Sequence, residues 1–310
     1  MFRSRSLTAR SSPPRGSAFA APWLAGAALL YVLPMISAGG LATLHWNGVA
    51  IEDARFVGLA NFRRLLTADP AAGRALARSA MYTAMSVPAQ LAVGLGLALL
   101  IRGARRRQWW ATLFYLPHVL AGVATILVWA WLLNPRVGPI NALLAGLMRP
   151  LGFSASSLPL WLYSADAARP ALVLMSCWHA GGAMLIFLAA LLRVPPAQYE
   201  SAALDGAGAW ARFRHVTLPM IAPALLFNVL TGIVAAMQAF NAPFLLQTPP
   251  QRDALLFVAP YLYRCAFEQS DLGYAAAVAW LLFAVLLLFS GLLVAATRRW
   301  MRVEYSEAGT

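Results

Sequence analysis

Six long apolar stretches that contain no Asp, Glu, Lys or Arg constrain this sequence most. They cover residues 20–44, 79–101, 109–133, 171–192, 216–241 and 274–297. The hydrocarbon core of a bilayer is about 30 Å thick, and an apolar helix of about 20 residues crosses it. Charged residues lie only between these stretches or at the ends, as expected because a charge within hydrocarbon is costly. The sequence therefore predicts an all-α integral membrane protein with six transmembrane helices.

The stretches divide the chain into an N-terminal tail at 1–19, a six-span domain at 20–297 and a C-terminal tail at 298–310. Only 11% of the residues are charged, against about 25% in soluble domains. The first stretch follows four arginines, so a cleaved signal peptide is an alternative. Its apolar run is longer than the 7–15 residues of a signal-peptide core, which favours a retained span.

The distribution of arginine predicts the orientation. All 24 basic residues are Arg, and 14 of them lie in segments 1–19, 102–108, 193–215 and 298–310. The three opposite loops are longer in total and hold the other ten. Basic residues accumulate on the cytoplasmic side of a membrane protein, so both termini and loop 193–215 are predicted to be cytoplasmic. Arginine runs beside apolar segments fit membrane orientation better than binding to nucleic acid.

Missing residue types exclude several chemistries. The chain has no Lys, which a P-loop needs to reach the phosphates of ATP and a Schiff-base enzyme needs as its amine. It contains no His-Glu-x-x-His metal motif and no Gly-x-Ser-x-Gly elbow, which argues against a membrane-embedded enzyme. The two cysteines, Cys177 and Cys265, lack disulfide-scaffold or metal-ligand spacing and are expected to be small apolar side chains. We predict no catalytic residue, metal site or cofactor in this chain.

The loop between the fourth and fifth stretches, residues 193–215, has the pattern of a helix. Pro195 and Pro196 end the preceding helix because proline breaks the hydrogen-bond ladder. Residues then recur at helical spacings of 4, 3, 4 and 3 along one stripe, namely Tyr199, Ala203, Gly206, Trp210 and Phe213. By spacing alone this is either a helix that receives another protein or an amphipathic helix on the membrane surface.

The residues of this loop resemble the cytoplasmic signature of ABC-importer permeases. The matching residues are Tyr199-Glu200-Ser201-Ala202, Asp205-Gly206-Ala207, Phe213-Arg214 and Thr217-Leu218-Pro219. Ser201 stands where the family usually has Ala, and a small residue still permits docking. From this resemblance we expect a coupling helix whose contacts with a separate ATPase involve Glu200, Ser201, Ala202, Asp205, Gly206, Leu218 and Pro219. Glu200 would be a polar contact and Gly206 the turn.

Further segments resemble the carbohydrate-uptake subgroup, which includes the maltose-type and glycerol-3-phosphate-type inner-membrane permeases. These segments are Gly58-Leu59 with Asn61-Phe62, residues 129–135 with Gly138 and Asn141, and Ala266-Phe267 with Gly273-Tyr274-Ala275-Ala276. The resemblance covers roughly residues 55–305. One departure concerns the turn after the fifth span, where the subgroup often has Gly-Gly-Pro and this chain has Gln247-Thr248-Pro249-Pro250.

The resemblance implies a multi-pass permease subunit in the bacterial plasma (inner) membrane. It would form half of the translocation pathway for a sugar, polyol or glycerol phosphate, and a second homologous permease would form the other half. Two cytoplasmic P-loop ATPase subunits would bind ATP and Mg, and a soluble extracytoplasmic binding protein would deliver the solute. The missing lysine agrees with this division of labour.

Four polar residues of the fifth stretch are candidates for the solute path. Asn228, Thr231, Gln238 and Asn241 follow one another at spacings of 3, 7 and 3, which places them near one helix face. Polar side chains in spans usually face the bundle interior, either to contact solute or to bond other helices. Uncharged amides and hydroxyls suit sugar hydroxyls, and the spans hold no Arg for an anion. A neutral sugar or polyol is therefore favoured.

An ion-coupled secondary transporter is the main alternative. His118 and His179 lie in the third and fourth stretches and could form a proton relay, but no carboxylate accompanies them in any stretch. A non-catalytic scaffold would leave the coupling signature unexplained. Prolines in or beside the stretches either break helices next to a cavity or are tolerated bends; they are Pro34, Pro88, Pro117, Pro219 and Pro223.

Overall fold

The computed structural model describes residues 15–120, 122–148, 150, 158–247 and 254–307. Its helices are, in chain order, α1 (Arg15–Ala27), α2 (Leu33–Ala42), α3 (Ala60–Thr67), α4 (Pro70–Arg102), α5 (Arg107–Val119), α6 (Gly122–Leu132), α7 (Pro139–Met148), α8 (Ala165–Cys177), α9 (Gly181–Arg193), α10 (Pro196–Leu204), α11 (Ala209–Arg212), α12 (Leu218–Met220), α13 (Ala222–Met237), α14 (Asn241–Leu245), α15 (Val258–Tyr263) and α16 (Leu272–Glu307).

Four helical segments are long and apolar enough to cross a membrane. They are Ala20–Ala42, Pro70–Arg102, Ala222–Leu245 and Leu272–Thr297. Two bent pairs, α5 with α6 and α8 with α9, pass the same test together, and the second pair bends by 47°. The described chain is thus mostly helical, with four clear apolar spans and up to six when each bent pair counts as one.

The second span begins earlier than the sequence predicted. Helix α4 starts at Pro70, nine residues before the apolar stretch, because the Asp69 side chain caps it. The Asp69 carboxylate accepts the backbone N–H groups of Ala71 at 2.9 Å and Ala72 at 3.2 Å, and proline at the first helical position needs no partner for its nitrogen. Arg74 and Arg78 therefore lie on a helix that extends beyond the apolar stretch.

The prolines have unequal effects. Pro34 and Pro219 each stand second in a helix that follows a π-helical turn, at Ala28–Val32 and Phe213–Thr217. Pro117 lies near the end of α5. Pro88, in contrast, lies inside α4 without interrupting it. Local π-turns absorb the missing hydrogen bonds at some prolines, so proline alone did not predict the breaks.

Helix α4 is central to the packing. Helices α8, α9 and α13 all contact it, and Gly94 permits the close approach of α9. A Cβ atom at Gly94 would lie 3.1 Å from the Cβ of Ala183 and 3.2 Å from the carbonyl oxygen of Ala180. The first span packs against α16 and leaves large apolar side chains exposed, such as Tyr31 at 77%. Such a surface fits contact with lipid.

A two-residue antiparallel β-pair follows the first span, a feature that the all-α expectation lacked. Strand β1 (Leu44–His45) pairs with β2 (Arg55–Phe56). The buried amide of Asn61 fixes this region by donating to the carbonyls of Ala42 at 2.9 Å and Leu44 at 2.8 Å. We call this end of the bundle the hairpin end, and the opposite end, with residues 193–215, the loop end.

Candidate functional site

Loop 193–215 forms two helices rather than the single one that its stripe predicted. Helix α10 ends at Leu204, and Gly206 takes a φ of 76°. The Ala207 N–H donates to the Ala202 carbonyl at 2.9 Å, and the Gly206 N–H donates to the Ala203 carbonyl at 3.1 Å. This is a Schellman C-cap, in which the left-handed position favours glycine. The cap interrupts the stripe before α11 begins at Ala209.

The predicted coupling residues divide into two groups. Glu200, Ser201, Asp205 and Gly206 are exposed and Ala202 is half-buried, all on α10 and the turn after it. Leu218 and Pro219 lie in α12, where they are half-buried at the entry to the fifth span. The first group thus forms an accessible surface, and the second belongs to the packed base of the span.

Two apolar side chains dominate the exposed surface of this loop. Leu204 is 90% exposed, and Trp210 is 70% exposed and stacks on Phe213 with ring centroids 5.5 Å apart. Leu204 escaped the sequence analysis, although a lone leucine among small and polar residues was a usable signal. An exposed leucine and tryptophan beside Glu200 and Asp205 make a surface suited to another protein.

Two adjoining cavities lie within the helical bundle, with volumes of about 510 and 400 Å³. The larger, cavity A, is lined by α4, α5, α9 and α13. The smaller, cavity B, extends along α6, α8 and α14. Both cavities share the same four residues at their junction, namely Gln90, His179, Gly232 and Ala235. The two cavities therefore adjoin, and we call them together the hollow of the bundle.

The structure distributes the four predicted path residues over this hollow. Asn228 and Thr231 line cavity A, and Gln238 and Asn241 line cavity B. The Asn228 amide donates to the Ala224 carbonyl at 3.0 Å, and the Thr231 hydroxyl donates to the Phe227 carbonyl at 2.9 Å. Because these bonds stay within α13, the side-chain oxygens can still accept hydrogen bonds from a solute.

Gln90 is a lining residue that the sequence analysis missed. It is the only Gln or Asn within residues 79–101. A polar amide in an apolar stretch usually faces the bundle interior, so Gln90 was as recognisable from the sequence as Asn228. Tyr82 and Trp129 add aromatic surface to cavity B. Trp129 was noted as part of a motif but not as a lining residue.

The two histidines of the spans meet at cavity A. Their ring centroids are 6.5 Å apart, and the Nδ1 of His118 lies 3.0 Å from the backbone carbonyl of His179. A carbonyl oxygen only accepts, so a hydrogen bond at this contact requires the proton on Nδ1 of His118. Among the described residues that line the two cavities there is no Asp, Glu, Lys or Arg, so this hollow presents neutral amides, hydroxyls, imidazoles and aromatic rings.

A separate polar cluster fastens the hairpin end. The Asp69 carboxylate accepts the hydroxyl groups of Tyr261 and Tyr274, and Arg64 donates to Asp271 at 2.8 Å. Burial alone would raise the pKa of Asp69, but its hydrogen bonds outweigh this and hold the pKa below its usual value. Burial, followed by donation to Asp69, raises the pKa of Tyr261. Asp69 therefore stays ionised and Tyr261 stays neutral at physiological pH.

The acidic side chains of this cluster are bonded to other protein groups. In the described part of the chain, no three or more side chains of His, Cys, Asp or Glu converge on a possible metal position. The Asp69 carboxylate already accepts hydrogen bonds from two tyrosine hydroxyls and two backbone amides. The cluster thus serves the packing of the helices.

Comparison with known proteins adds sequence relatives. The family model described as "Binding-protein-dependent transport system inner membrane component" matches residues 69–303. The probable ABC transporter permease protein YesP of Bacillus subtilis (strain 168) is 30% identical, over 99% of this chain and 97% of its own length. The lactose transport system permease protein LacF of Rhizobium radiobacter is 27% identical, over 95% of this chain and 98% of its own length.

A solved structure shares the fold. One chain in the crystal structure of a bacterial alginate ABC transporter, in complex with an alginate pentasaccharide-bound periplasmic protein, superposes with a TM-score of 0.77. The sequence identity is 22%, and the match covers 92% of this chain and 94% of that chain. The arrangement of the helices therefore has a counterpart in a solved structure.

Proposed function

The chain belongs to the family of binding-protein-dependent transport system inner membrane components, and we propose that it is the permease subunit of an ABC importer for a carbohydrate. The observation that carries the proposal is the hollow made up of the adjoining cavities A and B. Its polar groups are uncharged and stand beside aromatic rings. Amides, hydroxyls and ring faces are the groups that bind sugars, which offer many hydroxyls and apolar ring faces.

The breaks in the helices support the position of the solute path. Cavity B lies beside Gly122, the first residue of α6, and beside Gln238, the C-cap of α13. The amide nitrogen of Asn241 would lie 3.9 Å from a Cβ atom at Gly122. Transporters commonly place substrate where helices are discontinuous. We therefore count each bent pair as one span, which gives six.

The loop end supplies the surface for an ATPase. We assign the exposed part of α10 and its cap, with Glu200, Ser201, Asp205 and Gly206, to docking with a separate cytoplasmic ATPase subunit. Leu204 and Trp210 provide the apolar contacts. Ala202, Leu218 and Pro219 belong to the base of this surface. Both termini would then be cytoplasmic, in agreement with the density of arginine at that end.

The remaining partners follow from the same proposal. The chain would pair with a second homologous permease, and two ATPase subunits would bind ATP and Mg at the loop end. A binding protein would meet the hairpin end and deliver the sugar. The relative LacF is named for lactose transport, which supports a carbohydrate as the solute here.

Uptake measurements separate this proposal from an ion-coupled carrier. Cells with and without the gene would be given labelled lactose and a labelled uronate oligosaccharide, and uptake would be measured with an uncoupler or with depleted ATP. We expect loss of uptake of a carbohydrate on deletion, sensitivity to ATP depletion and resistance to the uncoupler while ATP is maintained. Uptake abolished by the uncoupler at normal ATP would favour the ion-coupled carrier.

A further inference from the structure

The side chain of Tyr199 joins three helical elements at the loop end. Its hydroxyl accepts a hydrogen bond from Arg102 Nη1 at 3.0 Å and lies 3.1 Å from the Thr217 hydroxyl. Arg102 is the last residue of α4, Tyr199 lies on α10, and Thr217 ends the π-helical turn that leads into the fifth span. One phenol thus contacts the ends of spans two and five.

The hydrogen bonds of this junction have a consistent direction. The Thr217 hydroxyl donates to the Arg212 carbonyl at 3.4 Å, so its lone pairs are free to accept from Tyr199. Arg102 can only donate. The chain therefore runs from the Arg102 guanidinium to the Tyr199 oxygen, from the Tyr199 hydroxyl to Thr217, and from Thr217 to the backbone at Arg212.

The ring of Tyr199 adds a second kind of contact. The Arg102 guanidinium carbon lies 4.6 Å from its centroid, which is within the range of a cation–π interaction. The ring also packs against the buried cluster at the loop end, which includes Ile101, Leu191 and Ile221. Since α10 has no fully buried residue of its own, Tyr199 is its main inward attachment.

From this geometry we propose that Tyr199 is a positioning residue that transmits movement of α10 to the ends of spans two and five. The inference rests on the proposed function, in which a partner ATPase displaces α10. With the junction intact, α10 and the end of α4 move together. Without the hydroxyl, α10 can move while the spans stay in place, and ATP hydrolysis is then separated from transport.

The substitution Tyr199→Phe tests the hydroxyl while it keeps the ring. The complete transporter would be purified, and spin labels would be placed at Ala197→Cys on α10 and Gly103→Cys just after α4, with Cys177 and Cys265 replaced by Ala. Distances between the labels would be measured without nucleotide and with MgATP plus vanadate. ATP hydrolysis by the unlabelled complex in lipid vesicles would be measured in parallel.

We expect the label distance to stay the same on nucleotide binding in the parent protein and to change in Tyr199→Phe. We also expect ATP hydrolysis to continue in Tyr199→Phe while uptake of lactose, or of whichever test sugar the parent transports, falls about tenfold, as for loss of a hydrogen bond with a charged donor. Thr217→Val should lower uptake similarly, and the double variant should be no worse than the stronger single variant because the two residues act as a unit.

Matched controls are Tyr31→Phe on the exposed face of the first span and Thr112→Val, whose hydroxyl donates to the Gln108 carbonyl one turn earlier in its own helix. Both should leave distances, hydrolysis and uptake unchanged. A constant label distance together with normal uptake in Tyr199→Phe would overturn the inference. So would failure of both Tyr199→Phe and Thr217→Val to assemble, since that indicates a purely structural role. Absence of any ATPase from the parent complex would instead refute the proposed function.

Discussion

The hydroxyl of Tyr274 donates to the carboxylate of Asp69 across a sequence separation of 205 residues. Asp69 caps α4, and Tyr274 lies in the first turn of α16. Tyr261 donates to the same carboxylate from α15. A single aspartate therefore joins the hairpin ends of α4 and α16 to α15.

Replacing Asp69 should destabilise the purified protein by an amount that depends on which of its hydrogen bonds the new side chain retains. Asp69→Ala loses the helix cap, at about 1 kcal/mol, and leaves two tyrosine hydroxyls without their acceptor, at about 1–3 kcal/mol each. Asp69→Asn keeps the cap and one acceptor oxygen, so it should lose less. The midpoint temperature of thermal unfolding in detergent should be highest for the parent, lower for Asp69→Asn and lowest for Asp69→Ala. Equal midpoints for parent and Asp69→Ala would refute the role of this carboxylate.

A methyl group at Gly273 should not be tolerated. Its Cβ atom would overlap the backbone carbonyl oxygen of Leu44, so Gly273→Ala forces α16 away from β1. Overpacking of this kind costs about 1–3 kcal/mol. Gly291→Ala in the same helix is the matched control because no atom of the described residues, apart from its chain neighbours and its own helix backbone, lies within 4 Å of its Cβ position. The midpoint temperature of thermal unfolding should fall for Gly273→Ala and stay unchanged for Gly291→Ala.

Substitution of Gly206 should affect coupling in proportion to the strain in its left-handed conformation. Asn tolerates this region better than other residues, and a β-branched side chain tolerates it worst. We expect Gly206→Asn to retain most solute-stimulated ATP hydrolysis, and Gly206→Val to remain in the membrane and lose it. The measurement is the rate of solute-stimulated ATP hydrolysis by the reconstituted complex with each variant. Normal coupling in Gly206→Val would show that the cap of α10 is dispensable.

A negative charge at position 204 should reduce the amount of ATPase that copurifies with this chain. A leucine that is 90% exposed gains most from burial at an interface, and a glutamate there loses that gain. We expect Leu204→Glu to reduce the amount of ATPase that copurifies at least about tenfold, since complete burial of a leucine contributes about 1.5–3 kcal/mol. Leu59→Glu, at an exposed leucine of the hairpin end, should leave recovery unchanged. Full recovery with Leu204→Glu would place docking elsewhere.

Removal of the amide at the junction of the two cavities should slow uptake. Gln90→Leu keeps the approximate volume and removes the hydrogen-bonding groups, so uptake should fall about two- to tenfold for one lost hydrogen bond. Gln108→Leu, at an exposed position outside both cavities, is the control. The initial rate of lactose uptake, or of the sugar found to be transported, is the measurement. An unchanged rate in Gln90→Leu would exclude this residue from the solute path.

The sequence predicted the membrane class and the family well because both depend on local signals. The apolar stretches coincide with the four clear spans and the two bent pairs, and the residues from Tyr199 to Pro219 carried the resemblance that the family match confirms. Some motif residues proved to be structural: Asn141 donates to the Pro159 carbonyl at 3.1 Å and accepts from Trp161 at 2.6 Å. A residue of a short family motif can therefore stabilise the fold instead of taking part in the function.

Features that depend on contacts between distant residues escaped prediction. The early start of α4 required the Asp69 cap, and the division of loop 193–215 required the Schellman bonds at Gly206. The role of Tyr199 required Arg102, which is 97 residues away. Gln90 was readable in principle, since it is the sole amide of its stretch. The assignments of Glu200 to coupling and of Asn228 to the solute path stay predictions.

The most direct test of the central claim is the composition of the complex that contains this chain. The tagged protein would be purified from its native membrane in mild detergent, and copurifying proteins would be quantified by mass spectrometry. We predict one homologous permease and two copies of a P-loop ATPase for each copy of this chain. Recovery of the chain alone, or only as a homo-oligomer, under conditions that retain a known transporter complex would contradict the account.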